Sequence, residues 1–205
     1  MITYKLHLIR HGMTAMNREG RYLGRMDEPL CPEGIAAARR KHETFTYPEA
    51  EAVYSCPLLR CRETADILFP DLPITAVEDL AEMAMGDFEG RSFAELQSDP
   101  AFEEWMNDSA GHSPPGGESA TTFASRISDG LAAVFMDMQR EQVRSAACIV
   151  SGGVIMSLLK QHTHSDQPLS AFGTEPLEGY TIALTTQLWA SHRLIEIGAR
   201  IPTIK

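Results

Sequence analysis

The stretch YKLHLIRHGMT, residues 4–14, starts as a strand and ends in reactive side chains. From Tyr4 to Ile9 the residues alternate and are good strand formers, the period-two pattern of an extended chain. Arg10, His11, Gly12 and Thr14 follow where that strand must stop. Working outward, Pro32 opens a helix over Glu33–Phe45, since proline suits the first helical turn. Ala52–Ser55 reads as a short apolar strand and Leu58–Phe69 as a helix. After Ser119, Phe123, Ile127, Leu131, Phe135 and Met138 recur at three- and four-residue steps and form one apolar face of a long helix. Ala146–Val150 reads as a buried strand, Val154–Gln161 as a helix following Gly152 and Gly153, and Thr181–Thr185 and Leu194–Ile197 as two closing strands.

Strands alternating with helices predict an α/β fold, a three-layer α/β/α sandwich around a mostly parallel sheet. Between Gly86 and Gly117 the pattern breaks into short helical pieces and then Pro114, Pro115, Gly116 and Gly117, so residues of about 86–118 are expected as a lid insertion. No repeat or linker divides the chain, and a single domain over residues 1–205 is expected.

With 205 residues, 43% of them hydrophobic, the chain suffices for one substantial core. No apolar run reaches the roughly 18 residues of a membrane span, and the N-terminus carries no signal-peptide cleavage pattern. Cys31, Cys56, Cys61 and Cys148 make no CxxC pair or regular disulfide spacing, which points to a reducing compartment and a cytoplasmic location. A net charge of −10 opposes binding to nucleic acid or an anionic membrane. Any phosphate must then be held by a local basic pocket.

In open α/β sheets ligands bind beyond the carboxyl ends of the strands. Arg10, His11, Gly12 and Thr14 stand after the first strand with Asn17 close behind. Ser55 and Arg60 stand after the second, Glu82 after Leu80, and Ser151, Gly152 and Gly153 after the Ala146–Val150 strand. Arginine forks match phosphate oxygens, and glycines expose N–H groups at a positive helix end. A neutral imidazole can attack phosphorus while a nearby acid protonates the departing alkoxide. Asp87 and Glu89 are rival acids to Glu82, and Asn17 can equally be a cap. Cys56 to Arg62 fits Cys-x5-Arg, but Pro57 has no N–H and no glycine relaxes the turn, so an anion-cradling loop is disfavoured. His162 and His164 read as a solvated turn and not as a metal site, and Trp105 and Trp189 read as packing residues.

Five blocks in order resemble the histidine phosphatase (phosphoglycerate mutase-like) superfamily. LIRHGMT is similar to its RHGxT signature, and NREGRYLGRMDEPLCPEG to the segment that follows. SCPLLRCRETA, LAEMAMGDFEG and PPGGES match three further blocks. The resemblance implies that His11 is the nucleophile that becomes phosphorylated. It implies that Arg10 and Arg60 clamp phosphate, that Glu82 donates a proton, and that Asn17 and Gly24 help hold phosphate or substrate. It implies a small phosphorylated metabolite as substrate and no metal or other cofactor; it leaves the oligomeric state open. EMAMGDFEG and PPGGES look closest to alpha-ribazole phosphatase-like members, and the chain is short for a phosphoglycerate mutase.

One position departs from the family pattern. The family places a second histidine before the glycine pair, whereas this chain reads CIVSGGVIM: aligned without a gap Ser151 takes that place, and with a one-residue gap the histidine is absent. Ser151 and Gly152 are kept as phosphate-binding candidates. Two readings follow: a phosphomonoester hydrolase of reduced activity, or a catalytically impaired relative that binds a phosphorylated ligand or partner. Among other histidines, His162 and His164 lie roughly 15 Å or more along a helix axis past Ser151; His112 in the expected lid is better placed, but none is read as filling in.

Overall fold

The computed structural model describes residues 2–163, 165–192 and 194–204. In chain order the elements are β1 (Thr3–Arg10), α1 (Ala15–Arg18), α2 (Pro32–Thr44), β2 (Phe45–Thr46), β3 (Ala52–Ser55), α3 (Leu59–Leu68) and β4 (Ile74–Ala76). Then come α4 (Phe93–Leu96), α5 (Pro100–Asn107), α6 (Ala120–Arg140), β5 (Ser145–Val150), α7 (Gly152–His162), β6 (Gly179–Thr185), α8 (Thr186–His192), β7 (Glu196–Ile201) and β8 (Thr203–Ile204).

Six strands form a sheet in the order β4-β3-β5-β1-β6-β7. β4, β3, β5 and β1 run parallel, and β6 and β7 add an antiparallel flank. Leu6–Ile9 of β1 and Ala146–Val150 of β5 are buried without alternation. Such strands are covered on both faces. α2 packs on α3 and α6 on α7 around them, as the alternating pattern predicts. The long α6 carries the expected stripe, with Phe123, Ile127, Leu131, Phe135 and Met138 all buried.

The register sets where the site lies. Arg10 pairs with Val150 and Ser55 with Ile149, so β1, β5 and β3 end at one edge. β6 runs the other way, with Gly179 opposite Ile9, so the segment before it arrives at that same edge.

The 86–118 region has a core of its own. Phe88, Leu96 and Phe102 are buried there, with Tyr22 and Trp105 packed on them. Edge-to-face rings hold it, including Phe88–Phe102 at 5.3 Å and Tyr22–Phe102 at 5.5 Å. This accounts for the irregular sequence: small clusters need few apolar residues and no long period.

Several expectations are corrected. The helix after Pro32 ends at Thr44, because Phe45 starts β2, which pairs with the chain end at β8. The last sheet strand is Glu196–Ile201 and not Leu194–Ile197; its burial is low, so the apolar pattern was a poor guide. β4 was not expected, being a three-residue edge strand with little burial. His162 is no solvated residue: it is buried, with its ring 5.5 Å from that of Trp189. His164 lies outside the described residues. Trp189 also packs on Phe135, and Trp105 on Phe88 and Phe102, so both tryptophans are packing residues.

Candidate active site

β1 delivers Arg10 and His11 to the common strand edge, where the His11 N–H donates to Val150 O at 3.0 Å. His11 is buried, and its Nδ1 lies 2.7 Å from its neighbour's carbonyl, Gly12 O. A carbonyl only accepts, so Nδ1 carries the proton and Nε2 keeps its lone pair. Burial, then the guanidinium of Arg60, lower the His11 pKa to about 3. The imidazole is therefore neutral at physiological pH, the form able to act as a nucleophile. Thr64 Oγ1 accepts the Gly12 N–H at 2.9 Å and ties this turn to α3.

Arg60 stands in the first turn of α3 and is fully buried. Leu58 caps that helix with no side-chain bond, and Asp27 Oδ1 accepts the Leu59 N–H at 2.6 Å instead. The Arg60 Nη1 donates to Met26 O at 2.9 Å and Nη2 to Gly24 O at 2.7 Å. Arg10 Nη1 donates to Thr174 O at 2.6 Å, in the segment that precedes β6. Two donors are left over: Nε of Arg10 and Nε of Arg60 are buried and have no hydrogen-bond partner among the described residues. Buried guanidinium N–H groups without acceptors are costly, and an anion is the kind of group that would satisfy them.

Glu82 is buried beside these cations, its Oε1 accepting the Met83 N–H at 2.8 Å and its Oε2 the Gly153 N–H at 3.1 Å. Burial raises its pKa, opposed by the Met83 N–H and by Arg60, so the carboxyl holds a proton above the ordinary carboxylate range. That is the behaviour of a general acid. The rivals are placed elsewhere. Asp87 is exposed, and the Glu89 carboxylate is occupied by the N–H groups of Gly24, Met26 and Met85 at 2.8, 2.7 and 3.2 Å.

The remaining candidates divide. Ser151 is buried at the N-cap of α7 and makes no side-chain capping bond; its Oγ lies 3.5 Å from Arg60 Nη2. Gly152 lies against Arg10, since a Cβ there would meet Arg10 Nε at 3.3 Å. Asn17 forms a capping box with Thr14, its Oδ1 accepting the Thr14 N–H at 3.3 Å. Gly24 has both backbone groups engaged, by Glu89 and Arg60, and so lends no N–H to a ligand. His112 sits in an exposed turn and bonds to Asp108 O at 3.2 Å. Cys56 is buried, while Arg62, its partner in the alternative spacing, is exposed. Among the described residues no group of three or more metal-binding side chains gathers.

One residue stands among the strand-end residues in the sequence reading without the role the structure gives it. Gly153 holds the acid: a Cβ there would lie 2.6 and 2.7 Å from the Glu82 carboxylate oxygens. The doubled glycine was the available signal, and one glycine faces Arg10 while the next faces Glu82.

Residues 6–194 match the sequence model of the histidine phosphatase superfamily, branch 1. A Salmonella typhimurium protein named adenosylcobalamin/alpha-ribazole phosphatase is 30% identical over 161 residues, which cover 76% of this chain and 77% of that one. The crystal structure of the alpha-ribazole phosphatase from Shigella flexneri aligns with a TM-score of 0.76 over 95% of both chains at 24% identity. The mycobacterial glucosyl-3-phosphoglycerate phosphatase aligns with a TM-score of 0.76 over 96% of this chain and 98% of that one, at 23% identity. At those identities the two structures speak for the fold alone. No helix among the described residues is long and apolar enough to cross a membrane.

Proposed function

This chain belongs to the histidine phosphatase superfamily (branch 1), whose phosphatase-named relatives support a phosphatase here, and on that premise we propose that it hydrolyses a small phosphomonoester through a phosphohistidine at His11. The observation that carries the proposal is the pair of buried Nε donors of Arg10 and Arg60 flanking a neutral His11. They supply a local cationic seat in a chain of net charge −10.

In the first step His11 Nε2 forms a bond to phosphorus as the ester P–O bond breaks, and protonated Glu82 gives its proton to the leaving oxygen. In the second, the Glu82 carboxylate takes a proton from water, whose oxygen attacks the phosphohistidine and releases inorganic phosphate. The arginines hold the nonbridging oxygens throughout, where charge is largest. Ser151 stands where a further donor would face the transferring group, and its neutral hydroxyl is a weaker one. Loss of one preorganised donor costs about 10²–10³ in rate, so turnover is slow but present.

A panel of phosphate esters with vanadate as inhibitor tests this. Vanadate-sensitive phosphate release, lost in His11→Ala, is expected. A protein that binds vanadate through Arg10 and Arg60 but releases no phosphate from any ester would favour the ligand-binding reading, for which Ser151 is the specific observation.

A further inference from the structure

Arg126 and Glu118 lie outside the site described above, yet they bear on it through the backbone. Glu82 sits in an irregular segment: a single 3-10 turn, Glu78–Leu80, precedes it, and no strand carries it. Its carboxylate is held by two N–H groups, but these do not fix where its Cα stands.

The guanidinium of Arg126, from the second turn of α6, gathers the carbonyls of this segment. Its Nη1 donates to Asp79 O at 2.6 Å and to Ala81 O at 2.9 Å, and its Nη2 reaches Glu82 O at 3.5 Å. On the other side it forks onto one carboxylate, with Nε to Glu118 Oε1 at 2.9 Å and Nη2 to Glu118 Oε2 at 2.8 Å. Glu118 closes the frame beyond Glu82. Its N–H donates to Ala84 O at 2.9 Å, and its Oε2 accepts the Ala84 N–H at 3.4 Å. Arg25 completes it, with Nε donating to Glu82 O at 2.7 Å.

The pair is largely out of water, at 16% side-chain exposure for Arg126 and 10% for Glu118. A bidentate fork in such a place is rigid, and a lysine cannot reproduce it. The Phe123 ring, 5.4 Å from the Arg126 guanidinium, steadies it further. Residues 79, 81, 82 and 84 are thus all bonded to one ion pair.

We propose that Arg126, locked by Glu118, is a positioning residue for Glu82: it fixes the acid beside Arg10 and Arg60 and thereby sets how strongly the rate depends on the leaving group. This rests on the phosphohistidine reading above. Arg126 touches no reacting atom; it acts through the Glu82 backbone. Proton donation matters most for poor leaving groups, and misplacing a catalytic group by about 1 Å can cost on the order of 10²-fold. A strut needed only for folding would lower all substrates together.

The test uses the full chain with Arg126→Met, Arg126→Lys and Glu118→Gln, assayed by phosphate release from an aryl and an alkyl phosphomonoester, with thermal melting alongside. Glu118→Gln is nearly isosteric and can still accept the Ala84 N–H, so it decides the matter if the arginine variants do not fold. The expected result is a fall in kcat of about 10- to 100-fold on the alkyl ester, with the aryl ester within about threefold and KM little moved. Arg126→Lys is expected to resemble Arg126→Met and not the parent. Equal losses on both esters, or none on either, with His11→Ala inactive, would overturn this inference and leave the phosphohistidine reading intact. Hydrolysis that survives His11→Ala would remove that reading and this inference together.

Discussion

Replacing Gly153 with alanine puts a methyl group into the seat of the Glu82 carboxylate. An ideal Cβ at Gly153 lies 2.6 Å from Oε1, 2.7 Å from Oε2 and 2.9 Å from Cδ of Glu82. Comfortable contact needs about 3.5 Å, so the carboxylate must retreat by roughly 0.8 Å. The bond from the Gly153 N–H, 3.1 Å at present, is then lost. A hydrogen bond to a charged group is worth about 1.5–3 kcal/mol, and a general acid contributes about 10²–10⁴ in rate. We expect kcat on an alkyl phosphate to fall about 100-fold while an aryl phosphate loses only a few-fold, since its leaving group needs little protonation. Gly152→Ala is the matched control, because its Cβ would meet Arg10 at 3.3 Å or beyond. Both glycines lie in α7, where alanine favours the helix by about 1 kcal/mol and offsets part of that loss, and the melting curves separate lost activity from unfolding. Steady-state kinetics on the two esters, with melting curves, decide the matter. If Gly153→Ala keeps alkyl phosphatase activity within threefold of the parent, or Gly152→Ala proves the worse variant, the assignment of Gly153 as the seat of the acid is wrong.

Ser151→His should raise kcat by one to several hundredfold, the reverse of losing one oxyanion donor, because the side chain at 151 already points to Arg60; no gain in phosphate release would show that the pocket lacks more than this group. Arg60→Lys should abolish detectable vanadate binding by calorimetry and lower the melting temperature, since a lysine cannot serve Gly24 O, Met26 O and an anion together; unchanged affinity would place the anion elsewhere. His7 and His11 have pKa values lowered to about 4 and about 3, mainly by burial, from an ordinary 6.5. Both stay neutral in the fold but protonate near 6.5 when unfolded, so their contribution is full above that pH and is lost as pH falls toward the folded values. Urea titrations should show stability falling between pH 6.5 and 4, by up to about 1.4 kcal/mol per pH unit per histidine, partly offset by Glu82, whose raised pKa works in the opposite sense. His7→Gln should flatten that slope; an equal slope in the variant would mean that His7 is not buried neutral.

The sequence by itself determined β1, the parallel core and the long α6, because each is written in a local pattern: alternation or a short apolar run for a strand, three- and four-residue steps for a helix. It also located Arg10, His11 and Arg60, since a strand end followed by a turn is a local event, and it showed Ser151 ahead of the glycine pair. The tertiary structure decided the work of the acids. Glu82 and Glu89 are seven residues apart in one block, and nothing local separates them. Glu82 becomes a raised-pKa acid because burial outweighs the opposing pull of the Met83 N–H, Arg60 and the Gly153 N–H, 71 residues away, while Glu89 is consumed by the loop at Gly24. Asn17 serves the helix cap for the same kind of reason: in the folded chain its oxygen accepts the Thr14 N–H. The edge strand β4 escaped notice and β7 was placed too early, because exposed strands carry no apolar alternation. Periodicity records which faces are buried, and a carboxylate's chemistry depends on desolvation and on donors that only the folded chain brings to it.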